Sequence, residues 1–201
     1  MPGNYPLIPR ICESTAEFLM GDLQTPTASY RCRRQRPLTE GERNMAFQIF
    51  SHSIIYSQVR IIQESYLPFN MQGKRVAMAP NGMIYMPAYG ELYSNDYSSS
   101  SMQRQHIFMH EMSHVWQHQS GMAVFIRGMV SGLVSYKYEL DFGSPVQKSL
   151  MNYRMEQQAS IIADYWFLLN YGGVGEWFYM NKIKNYGNQK SEYLIPLYES
   201  I

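Results

Sequence analysis

Apolar positions recur at helical spacing from residue 39 onward. In "LTEGERNMAFQIF", Met45, Ala46, Ile49 and Phe50 share one face. Thr39 with Glu42 three residues later has the form of a capping box at the start of that helix. "YSQVRII" (56–62) reads as a strand, and "RVAMAPNGMIYMP" (75–87) as two short strands joined around Asn81-Gly82, with Pro80 loosening the register. "YSNDYSSSS" (93–101) is a polar loop whose serines supply an N-cap for the next helix. From Met102 to about Gln119 there is neither Pro nor Gly, and Gly121 lies just beyond, so a helix is expected. Residues 121–143 carry Gly at 121, 128, 132 and 143 and have no dominant period. A second long helix is expected to open at Ser144-Pro145 and run to Asn170, where Tyr171-Gly172-Gly173 stops it. The aromatic tail, 174–201, has room for one more helix. The pattern predicts a mainly helical α+β fold with a small hairpin or sheet.

Composition narrows the classes. A chain of 201 residues suits one domain with a proper core. Residues 1–38 contain prolines and end in the basic cluster Arg31, Arg33, Arg34 and Arg36; they read as an arm with a solvated basic surface, and 39–201 as the domain proper. With 17 basic and 16 acidic residues the net charge is +1, which argues against nucleic acid or an anionic membrane as the main partner. No apolar run of membrane-spanning length occurs, and the N-terminus lacks the basic and apolar regions of a signal peptide, so synthesis in the cytoplasm without an ordinary export signal is expected. The 17 Tyr and 15 Met fit core and interface. Cys12 and Cys32 read as two buried thiols, or as a disulfide formed after export.

The chemistry lies in "IFMHEMSHVWQHQS" (107–120). On a helix, residues four apart stack on one face, so His110 and His114 can aim two nitrogens at one point, and Glu111 lies close by without being a ligand. Two imidazoles, a nearby base and an open coordination position are what zinc hydrolysis needs. The third ligand cannot take the metzincin spacing, because Gln117 and Ser120 occupy the positions for Gly and His. A carboxylate from the later helix is the remaining option, and Glu156 in "NYRMEQQASIIADYW" (152–166), beside small Ala159 and Ser160, offers one; the plain alternative is an exposed helical glutamate. His106 and His118 extend the row, but a row spanning roughly 18 Å at 1.5 Å per residue is not a cluster. Asp164 can orient a ligand histidine or serve a helix-to-loop hydrogen bond.

"HEMSHVWQHQ" with "MEQQASIIADYW" resembles the zincin-like metallopeptidase domain at the C-termini of VgrG spike proteins and in Rhs-associated effectors of type VI secretion. "RPLTEGER", "YSQVRI" and "APNGMIYMP" agree in order, so the resemblance covers about 37–170. It implies a zincin fold of the gluzincin type, with the strand around Met83–Met86 flanking the cleft. It also implies one zinc ion per chain on His110, His114 and Glu156, with Glu111 as catalytic acid/base. Gluzincins often place an Asp four residues after the glutamate, where this chain has Ser160; Ser160 and Asp164 are the candidates for the supporting position. The spike has no counterpart, so the resemblance implies a separate carrier, and the arm could dock it or a chaperone.

In the expected reaction, zinc acidifies a water, Glu111 accepts its proton, and the hydroxide attacks an amide carbonyl. Tyr136, Tyr138 and Tyr153 are candidate donors to the oxyanion, and an extended substrate can pair with the edge at Met83, Ile84 and Tyr85. The resemblance implies an antibacterial toxin cleaving protein or peptidoglycan peptide in a competitor's periplasm, with an immunity protein covering the cleft in the producer. A cytoplasmic housekeeping zinc peptidase and a non-catalytic zinc-stabilised binding module are the alternatives.

Overall fold

Thr39 Oγ1 accepts the amide of Glu42 and the Glu42 carboxylate accepts the amide of Thr39, so the capping box opens helix α1 (Glu40–Phe50). The structure, a computed structural model, describes residues 10–14, 30–67, 69, 71–88, 90–124, 138 and 149–182, with backbone alone at 10–14, 30–33 and 173–182. Strand β1 (Arg10–Ser14) pairs antiparallel with β2 (Tyr30–Pro37), and β2 with β3 (Arg60–Ile62). β3 pairs parallel with β4 (Ile84–Tyr85), giving the order β1-β2-β3-β4. Helices α2 (Met102–Gln119) and α3 (Met155–Lys182) complete the described elements.

The region expected to be an arm contributes β1 and β2, and in their register Cys12 lies opposite Cys32. Arg36 departs from the solvated surface expected of its cluster. It is buried, and its guanidinium forks onto Glu42 at 2.7 and 2.8 Å while also donating to the carbonyls of Pro37 and Ser94. Glu42 is fully buried and accepts from the amides of Thr39 and Tyr97 as well, so one carboxylate ties β2, α1 and the 94–97 loop together.

The strand expected over 56–62 is shorter. Residues Tyr56–Gln58 form a 3-10 turn, and only Arg60–Ile62 join the sheet, where Ile61 and Ile62 are covered on both faces. The hairpin at 75–87 narrows to β4 and a single antiparallel bridge between Met78 and Tyr85. Gly82 at its turn has a φ of +79°, and a Cβ there would come within 2.8 Å of the His118 ring, so glycine lets this turn close against the end of α2. His118 itself is exposed, and Ser101 stands at the N-cap of α2 without a side-chain cap bond.

The later helix does not run unbroken from Ser144 to Asn170. Residues 144–148 lie outside the described part, but Ser149 and Tyr153 are extended and flank a 3-10 turn, Leu150–Asn152. The helix carrying Glu156 therefore starts at Met155. Its break falls at Gly172, as the glycine pair suggested, with φ of 49° and ψ of −126°, and helix resumes beyond it to Lys182.

α2 and α3 pack against each other more extensively than any other two elements. Phe108, Met109, Met112 and Val115 of α2 and Ala159, Ile162, Ala163 and Phe167 of α3 are buried. Ala159 and Ala163 stand three and seven residues after Glu156, on its side of the helix, and their small side chains permit close approach. Among the described residues no helix is long and apolar enough to cross a membrane.

Candidate metal centre

One turn of α2 separates His110 from His114, and the second residue of α3 is Glu156. The close packing of these helices brings three ligand atoms together. His110 Nε2 lies 3.2 Å from His114 Nε2, and Glu156 Oε2 lies 3.3 Å from the former and 3.2 Å from the latter. Zinc bonds of about 2.0–2.1 Å in a tetrahedron imply ligand-to-ligand edges of about 3.3–3.4 Å. The triangle therefore has the size of three corners of such a shell, and these residues could hold a metal ion. Glu156 is buried, not the exposed helical glutamate of the plain alternative.

The electrostatics suit a cation. Burial favours a neutral Glu156, but hydrogen bonds and charge from His110 and His114 outweigh it and hold the carboxyl well below the usual carboxylate range. Burial also opposes charge on His114, yet the Glu156 hydrogen bond and charge, with Glu111 and Gln117, carry its pKa up to about 9. His110 goes the other way: burial and the nearby His114 bring it down to about 4 against the pull of Glu156. The carboxylate of Glu156 is thus held ionised between the two imidazoles.

Glu111 is buried beside this group, and burial raises its pKa to about 7, with Glu156 adding and His114 opposing. Its Oε2 has no hydrogen-bond partner among the described residues. A buried, unsatisfied carboxylate oxygen is costly for the fold and free to engage a group entering the site. The triangle and this orphaned oxygen together fit a catalytic metal better than a structural one, which needs no such neighbour.

The other residues singled out in the sequence take varied places. Asp164 accepts from Tyr138 at 2.9 Å and lies 2.5 Å from His106 Nε2, so it links a histidine of α2 outside the triangle to α3. The Tyr138 proton is thereby committed to Asp164. Tyr153 is buried just before α3, and its carbonyl accepts from Gln158. Tyr136 lies outside the described residues. Ser160 is buried one turn after Glu156. Of the strand residues, Met83 is half-buried and Ile84 and Tyr85 are buried; both main-chain groups of Tyr85 are spent on Met78, at 2.8 and 3.1 Å. A peptide pairing with this strand at Tyr85 would have to displace Met78.

Sequence reasoning missed Gln117. Its Oε1 sits 2.8 Å from His114 Nδ1, and its amide nitrogen donates to the Met155 carbonyl and to Gln158 Oε1. The only sequence signal was its position three residues after His114, on the same face of α2.

The sequence and fold of the chain are similar to those of proteins already known. Over 143 residues, 67% of its length, the chain is 43% identical to the type VI secretion system spike protein VgrG2b of Pseudomonas aeruginosa. It spans only 13% of that protein's length. The solved effector domain of Pseudomonas aeruginosa VgrG2b superposes with a TM-score of 0.60 at 40% identity, covering 74% of this chain and 82% of that one. No family model matches the chain. The chain belongs to the family of the VgrG2b effector domain, a family of type VI secretion.

Proposed function

We propose that this chain is a zinc peptidase of the gluzincin type, acting as an antibacterial effector that hydrolyses an amide bond in the periplasm of a target cell. The observation that carries the proposal is the triangle of His110, His114 and Glu156 with the buried Glu111 beside it, whose Oε2 has no hydrogen-bond partner among the described residues. Bound there, zinc would supply Lewis acidity, polarising a carbonyl and easing the ionisation of water. Glu111, with a pKa near neutrality, takes a proton from the water that adds to the substrate amide and returns it to the departing nitrogen. His110 and His114 would hold the metal through two neutral nitrogens and Glu156 through one negative oxygen. The commitment of the Tyr138 hydroxyl to Asp164 favours a bracing role for that residue over donation to an oxyanion.

Kinship with the effector domain of a spike protein supports delivery by a type VI carrier. A toxin of this class needs an immunity protein in the producing cell, and we assign that partner to the cleft. A non-catalytic zinc module would require a fourth protein ligand, whereas three groups converge among the described residues. The test is growth of bacteria that make the chain with or without an added export signal. Arrest is expected only on export, and Glu111→Gln should abolish it. Equal arrest by Glu111→Gln would remove the enzymatic reading, and arrest without export would remove the periplasmic one.

A further inference from the structure

The ring of His114 has two nitrogens, and only one faces the metal position. The other, Nδ1, lies 2.8 Å from Gln117 Oε1. Which atom of the Gln117 amide faces the ring is decided by its far end. That end meets the Met155 carbonyl at 2.9 Å, and a carbonyl can only accept, so the far end must be the NH2. The same nitrogen reaches Gln158 Oε1 at 3.0 Å, and the Gln158 amide is oriented in turn by the Tyr153 carbonyl, to which its nitrogen donates at 2.9 Å. Two main-chain carbonyls at the start of α3 therefore fix both amides. The oxygen left to His114 can only accept, so Nδ1 carries a hydrogen and the lone pair of the neutral ring sits on Nε2, the atom 3.2 Å from Glu156 Oε2.

We propose that Gln117 is a positioning residue of the metal centre: with Gln158 it forms an amide relay that fixes the metal-ready tautomer of His114 and ties that ligand to the turn of α3 that carries Glu156. The inference rests on the reading of His110, His114 and Glu156 as a metal site. Gln117 is fully buried and Gln158 nearly so, so water does not compete for these bonds. Metal-bound imidazoles usually give their second N–H to a carboxylate, a main-chain carbonyl or water. A neutral amide here spares the pocket a third negative charge beside Glu111 and Glu156. It also supplies two donors where a carboxylate has none: Gln117→Glu would set an oxygen against the Met155 carbonyl and Gln158 Oε1. The relay crosses between helices, so a shift of α3 would disturb the orientation of His114 and the reach of Glu156 together.

The experiment compares wild type, Gln117→Met, Gln117→Glu and Gln158→Met. Gln105→Met serves as control, a buried glutamine of α2 bonded to the carbonyls of Ser98 and Ser100. Zinc affinity is read by competition with a chromophoric chelator. The His114 Nδ1 proton of the zinc-loaded protein is followed by NMR for its exchange with solvent. Gln117→Met and Gln117→Glu should each lose about 10–100-fold in zinc affinity, and the Nδ1 proton of Gln117→Met should exchange faster. Gln105→Met should stay within about threefold of wild type. Wild-type affinity and exchange in Gln117→Met would overturn the proposal, as would an equal loss in Gln105→Met. Should Gln117→Met fail to fold, Gln158→Met decides: a several-fold loss supports the relay and unchanged affinity overturns it. Absence of zinc binding by the wild type would instead remove the metal reading itself.

Discussion

Replacing Glu156 by Gln keeps the shape of the side chain and removes its charge, with two consequences that the geometry sets. The first falls on His114. Its pKa of about 9 against an ordinary 6.5 corresponds to roughly 3 kcal/mol of preference for the charged ring inside the pocket. Burial works against that preference, and the Glu156 hydrogen bond and charge lead the influences that overcome it. With a neutral amide at 156 only Glu111 and Gln117 remain to oppose burial, so the ring should titrate at or below 6.5. The second consequence is metal affinity. Supporting residues outside the coordination shell change affinity about 10–100-fold, and loss of a direct anionic ligand should exceed the top of that range. The assays are an NMR titration of the histidines in the metal-free protein and a chelator competition for zinc. If His114 of Glu156→Gln still titrates near 9, or zinc binds within tenfold of wild type, another group holds the ring and the ligand assignment is wrong.

Other parts of the molecule give three further outcomes. A proton on His114 competes with metal for Nε2, while His110 stays neutral down to about 4; the raised His114 value therefore means that zinc affinity, measured by the same competition, should climb about tenfold per pH unit from 7 to 9 and then level. Arg36→Ala leaves the fully buried Glu42 without its cation and should cost about 3–5 kcal/mol in denaturant unfolding; a loss below about 1 kcal/mol would show that the pair is not buried as described. Ala159→Leu, at a fully buried position one turn from Glu156, should overpack the helix contact, lowering stability by about 1–3 kcal/mol and weakening zinc binding, whereas unchanged zinc affinity would separate the helix spacing from the site.

The parts legible in the sequence are those whose chemistry is local. The capping box at Thr39 and Glu42 and the bounds of α2 come from short-range signals, and both appear in the structure. Helical periodicity puts His110 and His114 on one face, the search for a third metal ligand points to Glu156, and the structure brings the three together as a group that could hold a metal ion. Long-range partners were hidden. Nothing near Arg36 in the sequence says that its guanidinium turns inward to Glu42, in the next element. Ser144-Pro145 carries good start signals, but the helix holding Glu156 begins at Met155, after the extended Tyr153, whose carbonyl anchors Gln158, while the carbonyl of Met155 itself anchors Gln117. Those glutamines carry no charge and belong to no motif, so only the packing of α2 on α3 reveals them. The sequence lets Asp164 orient a ligand histidine or serve a helix-to-loop hydrogen bond; the structure gives it His106, from outside the triangle, and the Tyr138 hydroxyl.

The most direct test of the central claim is zinc stoichiometry measured together with the release of new amino termini from periplasmic proteins and cell-wall peptides, for wild type and Glu111→Gln. One zinc per chain is expected in both, with cleavage by the wild type alone and a loss of at least about 100-fold in the variant. A Glu111→Gln protein that cleaves as well as wild type, or a wild type that binds no zinc, would contradict it.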